Sequence, residues 1–225
     1  VIEAVRVNEG APHYGLSALG LSGELERGHV SEHLIILFHG IGASGAQLMP
    51  LASSWRASLP NTRFVAPDAP MHHWRGRQWF STEGNPLDPA KVMTAREAFD
   101  ALVIDVVRRE GFEDRHDRIA FVGVSQGAIV ALDAVASGRW KVGALVSFAG
   151  LLPPQPISPT SRDTPVLLVH GQADTTIPAA ASTLAAAQLG AAGFNVELDV
   201  EPGVGHTISS AGAAKALSFL KKSLL

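Results

Sequence analysis

A chain of 225 residues with 46% hydrophobic and 17% charged side chains has globular proportions and enough length to bury one sizeable core, which excludes an extended disordered polymer. Its formal net charge of -3 supplies no basic field for a phosphate backbone, so nucleic acid is not an expected partner. The absence of cysteine removes disulfides, thiol nucleophiles and thiolate metal sites together.

The chain opens with Val1-Ile2-Glu3, which does not begin a signal peptide, and no apolar run approaches the roughly 20 residues a membrane helix needs. A soluble cytoplasmic protein without integral membrane association is expected, with an upstream segment left open because the first residue is not Met. Runs of strand length then alternate with helical patterns: His33 to Phe38, Arg63 to Ala66, Arg118 to Val124, Val142 to Phe148, Pro165 to Val169 and Phe194 to Val200 read as strands. Leu34-Ile35-Ile36-Leu37 and Val166-Leu167-Leu168-Val169 are continuously apolar, as strands buried on both faces of a parallel sheet are. Between them, Leu48, Leu51, Ala52, Trp55 and Leu59 recur at helical steps with Ser44 as an N-cap. A longer helix starts with Asp88 and Pro89, faces inward through Val92, Phe99, Leu102, Val103 and Val106, and stops near Gly111. Ala179 to Ala192 reads as a packing helix rather than low complexity. Residues 67–87 and 150–164 lack periodicity and read as loops, too short for a separate lid, so one α/β domain over residues 1–225 with a loop-covered site is expected.

Gly123-Val124-Ser125-Gln126-Gly127 follows an apolar strand and precedes a helical run, the context of a nucleophile elbow. There a sharp turn exposes the Ser125 hydroxyl, and glycines two residues to either side avoid Cβ clashes. A bare G-x-S-x-G also fits a glycine-lined turn, so the motif needs partners: a base to take the serine proton and an acid to orient that base. Asp174 follows the strand ending at Val169, and His206 follows the last strand in a glycine-rich loop. Alone, Asp174 fits a turn or cap and His206 a surface loop; together, in the order Ser, Asp, His, they fit an acyl-transfer site. The oxyanion donors expected are the Gln126 N–H and, from His39-Gly40-Ile41-Gly42, the Ile41 N–H, with Gly40 and Gly42 letting the backbone approach substrate. His39 reads as a loop-holding residue.

Taken together, these segments resemble the phospholipase/carboxylesterase family of α/β-hydrolases, which includes the acyl-protein thioesterases. Leu37-Phe38-His39-Gly40-Ile41-Gly42 is similar to the family's L-H-G-x-G, Gly123 to Gly127 to its G-F-S-Q-G, His170 to Pro178 to its H-G-x-x-D-x-x-V-P, and Gly205-His206-Thr207-Ile208 to its G-H-x-I. The resemblance runs from Leu34 to Leu220 and implies an α/β-hydrolase fold: a mostly parallel central sheet with helices on both faces. It further implies ester or thioester hydrolysis through an acyl-enzyme on Ser125, with no metal and no cofactor. The substrate expected is a small-molecule ester or thioester, or an acylated protein, with a homodimer left open. The sequence departs from the pattern at Ala43, at Ala128 and at Trp79-Phe80-Ser81, where the family's W-F-D stands.

The loop Met71 to Phe80 gathers aromatics near the expected mouth, so Trp74, Trp79 and Phe80 are candidate substrate-binding residues; packing anchors are the equal alternative for the two tryptophans. Arg75 and Arg77 read as solvated. His72-His73 lacks a spaced third ligand for zinc. Two rival functions follow from the same residues. Gly40, Gly42 and Gly45 also satisfy G-x-G-x-x-G, with Asp68 in place of a ribose-binding acid, which would make a dinucleotide site but leaves Ser125, Asp174 and His206 unexplained. A non-catalytic binding protein that keeps the hydrolase fold is the other, and a peptidase would use the same triad chemistry.

Overall fold

The structure, a computed structural model, describes residues 31–225. The reading of Val1-Ile2-Glu3 lies outside the described residues. The elements run β1 (His33–Phe38), α1 (Met49–Trp55), β2 (Thr62–Val65), β3 (Met71–His73), β4 (Gly76–Gln78), α2 (Pro89–Glu110), β5 (Ile119–Val124), α3 (Gln126–Ala136), β6 (Ala144–Phe148), β7 (Val166–Gly171), α4 (Ala180–Ala191), β8 (Val196–Glu201) and α5 (Ser210–Leu224).

Six of the strands form one sheet in the order β2-β1-β5-β6-β7-β8, every neighbouring pair parallel. The two-residue alternation of side chains divides its core between the two faces. On one, Leu34, Ile36 and Phe38 of β1 meet Phe99, Val103 and Val106 of α2 and Val130 and Leu132 of α3; on the other, Ile35 and Leu37 meet Trp55 of α1 and Phe219 and Leu220 of α5. Helices therefore cover both faces, and the continuous apolar runs in β1 and β7 are the sequence trace of that double burial.

The helix signals have local causes. Asp88 Oδ1 accepts from the Ala90 and Lys91 N–H groups and Pro89 fills the first helical position, while Gly111 closes α2 in the left-handed region at φ 75°. The expected helix from Leu48 to Leu59 is broken into a 3-10 turn at Gly45–Leu48, the short α1, and a second 3-10 turn at Arg56–Ser58. Pro50, with no N–H to donate, sits at the start of α1 and marks the division.

The expectation of a loop throughout 67–87 is corrected: the segment contains the antiparallel hairpin β3–β4. That hairpin binds the turn after β1, because Gly42 N–H donates to Arg77 O at 2.8 Å and Arg77 N–H to Ala43 O at 2.9 Å. Short strands three residues long carry too little alternation to be read from sequence; their partner is the loop, not the main sheet.

Because the sheet is parallel, the loops after β1, β5, β7 and β8 all emerge at one edge. The strand order turns outward in two directions between β1 and β5, which opens a crevice there.

Candidate active site

Ser125 stands at that switch point with φ 53° and ψ -119°, a conformation a non-glycine residue holds at a cost of about 1–3 kcal/mol. Surrounding packing imposes it. Ser125 N–H donates to Phe148 O of β6 at 2.9 Å, and the helix that follows lies so close to β1 that a Cβ on Gly127 would sit 2.2 Å from Phe38 O. A Cβ on Gly123 would likewise reach within 2.5 Å of Ala128 Cα, so both glycines of the motif are required by close approach.

His206 and Asp174 reach this serine from the far side of the sheet edge. His206 Nε2 lies 2.9 Å from Ser125 Oγ, and His206 Nδ1 lies 2.6 Å from Asp174 Oδ2. A carboxylate only accepts, so Nδ1 carries the proton and Nε2 presents its lone pair to the hydroxyl. Asp174 is buried, which opposes its charge, but hydrogen bonds from His206 and from the Ile177 and Thr176 N–H groups outweigh that and hold its carboxyl below the usual carboxylate range. The three residues singled out by motif and order are thus brought into one hydrogen-bonded line.

Gly40 comes alongside: its Cβ, were there one, would be 3.3 Å from Ser125 Cβ. Among the described residues, neither the Ile41 N–H nor the Gln126 N–H has a hydrogen-bond acceptor, and Gln126 begins α3, so its N–H is one of the helix's unpaired donors. The Ile41 side chain is exposed at the mouth.

The aromatic candidates separate. Trp79 is 1% exposed and packs edge-on against Phe38 and Phe99, and its indole N–H donates to His39 O at 2.8 Å. It anchors the loop and is not placed to touch substrate, which corrects one of the two readings left open for it. Trp74 is the opposite case, 83% exposed on the hairpin with the Arg75 guanidinium 4.8 Å from its ring centroid, so it is not a packing anchor. Phe80 faces a cleft of about 280 Å³ between α2, α3 and the segments around Leu87 and Leu151. The cleft starts one helical turn beyond Ser125, at Ile129, whose N–H donates to Ser125 O. Arg77, read as solvated, is half-buried: its guanidinium donates to Ala69 O at 2.7 Å and to Pro70 O at 2.9 Å, clamping the hairpin base.

His39 holds the loop, as read. It is fully buried; Nδ1–H donates to Gly40 O at 2.7 Å and Nε2 accepts from Ala69 N–H at 2.9 Å, a neutral ring whose pKa burial lowers despite the Gly40 bond. The dinucleotide alternative loses its geometry: Gly45 N–H donates to Asp68 Oδ1 at 2.8 Å, and a Cβ on Gly45 would lie 1.9 Å from Ala66 O. That glycine is pressed against the end of β2 and its acid is spent on the loop. Among the described residues no group of three or more His, Cys, Asp or Glu could hold a metal ion, and no helix is long and apolar enough to cross a membrane.

Two contributors had no sequence signal strong enough to find them. The Gln126 side chain accepts from Trp79 N–H at 2.7 Å and donates to Phe80 O at 2.7 Å, tying the cleft's edge to the residue after Ser125. His170, buried at the end of β7, donates through Nε2 to Ile177 O at 2.8 Å, stands 3.2 Å from Asp174 Oδ2, and meets Ser182 Oγ through Nδ1 at 2.7 Å. It fixes the Asp174 loop against α4.

Comparison with known proteins gives these contacts a family. The model of the phospholipase/carboxylesterase family matches residues 26–224. A probable carboxylesterase of Oryza sativa subsp. japonica is 29% identical over 235 residues, covering 95% of this chain and 86% of that protein. An acyl-protein thioesterase 1 of Eremothecium gossypii is 28% identical over 220 residues, covering 88% of this chain and 91% of its own. Among solved structures, esterase PE8 superposes with a TM-score of 0.75 at 32% identity, covering 87% of this chain and 95% of that one. The chain therefore belongs to the phospholipase/carboxylesterase family and is an ester hydrolase of the α/β-hydrolase fold.

Proposed function

We propose that Ser125 is the nucleophile of a carboxylic ester and thioester hydrolase, His206 its general base and acid, and Asp174 the residue that orients His206. The observation that carries this is the His206 ring, which spans Ser125 Oγ at 2.9 Å and Asp174 Oδ2 at 2.6 Å with the tautomer the chemistry needs. Ser125 Oγ bonds to the acyl carbon as its proton passes to His206 Nε2; the oxyanion takes hydrogen bonds from the Ile41 and Gln126 N–H groups. The C–O or C–S bond then breaks, the leaving alcohol or thiol takes the proton from His206, and water releases the acid by the same steps in reverse.

The acyl portion occupies the cleft that begins at Ile129 and Phe80, and the alcohol or thiol portion leaves past Ile41 and Trp74. Its substrate is a small molecule or an acylated protein met in the cytoplasm. Every group in this scheme comes from one chain, and from what we read as one domain, so turnover needs no homodimer. A fluorophosphonate probe should add one adduct, on Ser125, and Ser125→Ala should lose both the adduct and turnover of acetyl and octanoyl esters and thioesters. Adduct formation elsewhere, or turnover surviving in Ser125→Ala, would overturn the assignment of the nucleophile, and neither adduct nor turnover in the unaltered protein would favour a binding protein that keeps the hydrolase fold.

A further inference from the structure

The cleft beside Ser125 has a charged residue set that the reaction scheme leaves unused. Arg96 of α2 and Asp133 and Arg139 at the far end of α3 line it, yet the surface it presents is almost wholly apolar. The reason is an ion-pair chain behind the wall. Arg96 grips Asp133 with two parallel bonds, Nε to Oδ2 at 2.9 Å and Nη2 to Oδ1 at 2.7 Å. Arg139 donates from Nη1 to Asp133 Oδ2 at 2.9 Å and from Nε to Asp100 Oδ2 at 2.8 Å, and Trp140 Nε1–H donates to Asp100 Oδ1 at 2.8 Å. Two guanidiniums are drawn away from the cleft, leaving methylene stems to face it. Asp133 is 7% exposed and joins the two arginines to each other.

We infer that Asp133 is the specificity-determining residue of the acyl side: by holding the heads of Arg96 and Arg139 out of the cleft, it makes the far wall accept a neutral acyl chain longer than acetyl. The inference rests on the proposed placement of the acyl group in this cleft. An asparagine there accepts through one oxygen only and carries no charge, and Asp100, the other carboxylate near Arg96, is already bound by Arg139 and Trp140, so the Arg96 head is released toward solvent or the cleft. A guanidinium projecting into an apolar cleft penalises each methylene that would lie against it, whereas an acetyl group ends before that wall.

The test is the ratio of kcat/KM for p-nitrophenyl octanoate to that for p-nitrophenyl acetate, with thermal denaturation run alongside. Asp133→Asn should lower the ratio about tenfold, and adding Arg96→Met, which keeps the stem and removes the charge, should restore it to within about twofold of the wild-type value. Arg96→Glu, at a position where only a partly exposed side chain changes, sets a second carboxylate against Asp133 and should lower the ratio similarly without removing a buried group. Val92→Trp, which fills the cleft from α2, should lower it most. An unchanged ratio in Val92→Trp means that the acyl chain lies elsewhere and both claims fail. A fall in Val92→Trp with no change in folded Asp133→Asn and Arg96→Glu, or no recovery with Arg96→Met, overturns the role of Asp133 alone.

Discussion

Asp174→Asn separates orientation of the base from everything else Asp174 does. In the native loop, Oδ1 accepts from Thr176 N–H at 2.8 Å and Ile177 N–H at 2.9 Å, so an asparagine must keep its carbonyl oxygen there. That fixes the NH2 group where Oδ2 now lies, 2.6 Å from His206 Nδ1 and 3.2 Å from His170 Nε2. An amide NH2 only donates, so His206 can keep a hydrogen bond only by moving its proton to Nε2. The ring then donates toward Ser125 Oγ instead of accepting, and the serine keeps its proton. The same exchange in a serine protease costs about 10⁴ in kcat through this wrong tautomer, equivalent to about 5 kcal/mol of transition-state stabilisation at 1.36 kcal/mol per decade. Here kcat should fall about 10³–10⁴-fold with KM little changed, measured by steady-state hydrolysis of p-nitrophenyl acetate. Near-wild-type far-UV circular dichroism should accompany the loss, because the loop's two backbone bonds survive. A folded variant whose kcat stays within tenfold of wild type would refute the claim that Asp174 sets the tautomer.

The other perturbations test the scaffold. Gly127→Ala drives a methyl to 2.2 Å from Phe38 O, a backbone atom that no side-chain rotation can move, and should cost about 3 kcal/mol in urea denaturation together with most activity. Gln126→Leu strands the buried Trp79 N–H and the Phe80 carbonyl, and a loss of about 1–3 kcal/mol should appear in the same assay, with KM for longer acyl esters raised. Burial depresses the pKa of His39, and burial followed by the nearby Arg118 depresses that of His33, both from 6.5. The unfolded chain therefore binds these protons first as acidity rises, so stability present above pH 6.5 should be lost as pH falls below it, until the folded values are passed. Denaturation midpoints at successive pH values check this, and His39→Gln should flatten part of the slope. Arg77→Ala frees the hairpin from Ala69 O and Pro70 O and should lower kcat/KM by loosening the Gly40–Ala43 turn, with hydrogen exchange of the Gly42 N–H accelerated.

How far the sequence could be read depended on how local each cause was. β1 and β7 declared themselves because Leu34 to Phe38 and Val166 to Val169 are buried apolar runs with no polar interruption, and α2 because its cap and first-turn proline mark one end and a glycine the other. Ser125, Asp174 and His206 were legible for a different reason: each sits at the end of a strand, and parallel strands deliver their ends to one edge. The hairpin β3–β4 was missed since its hydrogen-bonding partner, the turn at Gly42 and Ala43, lies about one strand and one helix away along the chain. Trp79 and Trp74 show the same limit. Two tryptophans five positions apart on one loop look alike as letters, and only packing sends one under Phe38 and leaves the other in solvent. Asp133 gave no signal at all, because a carboxylate in a helix is ordinary until two arginines from different turns are seen to converge on it.

The distribution of these contacts divides the molecule into a part that fixes the reaction and a part that sets what reacts. Around Ser125, backbone meets backbone: Gly127 on Phe38, Gly123 on Ala128, and Ser125 N–H on Phe148 O. No side-chain substitution can adjust such contacts without moving a strand, so the attack geometry is held by the sheet itself. The cleft is instead held by side chains, namely Gln126, Arg96 and Asp133. Changes there should alter acyl preference or the Michaelis constant before they alter the acylation step. Substitutions at the first set should therefore move stability and kcat together, whereas those at the second should move the ratio between substrates.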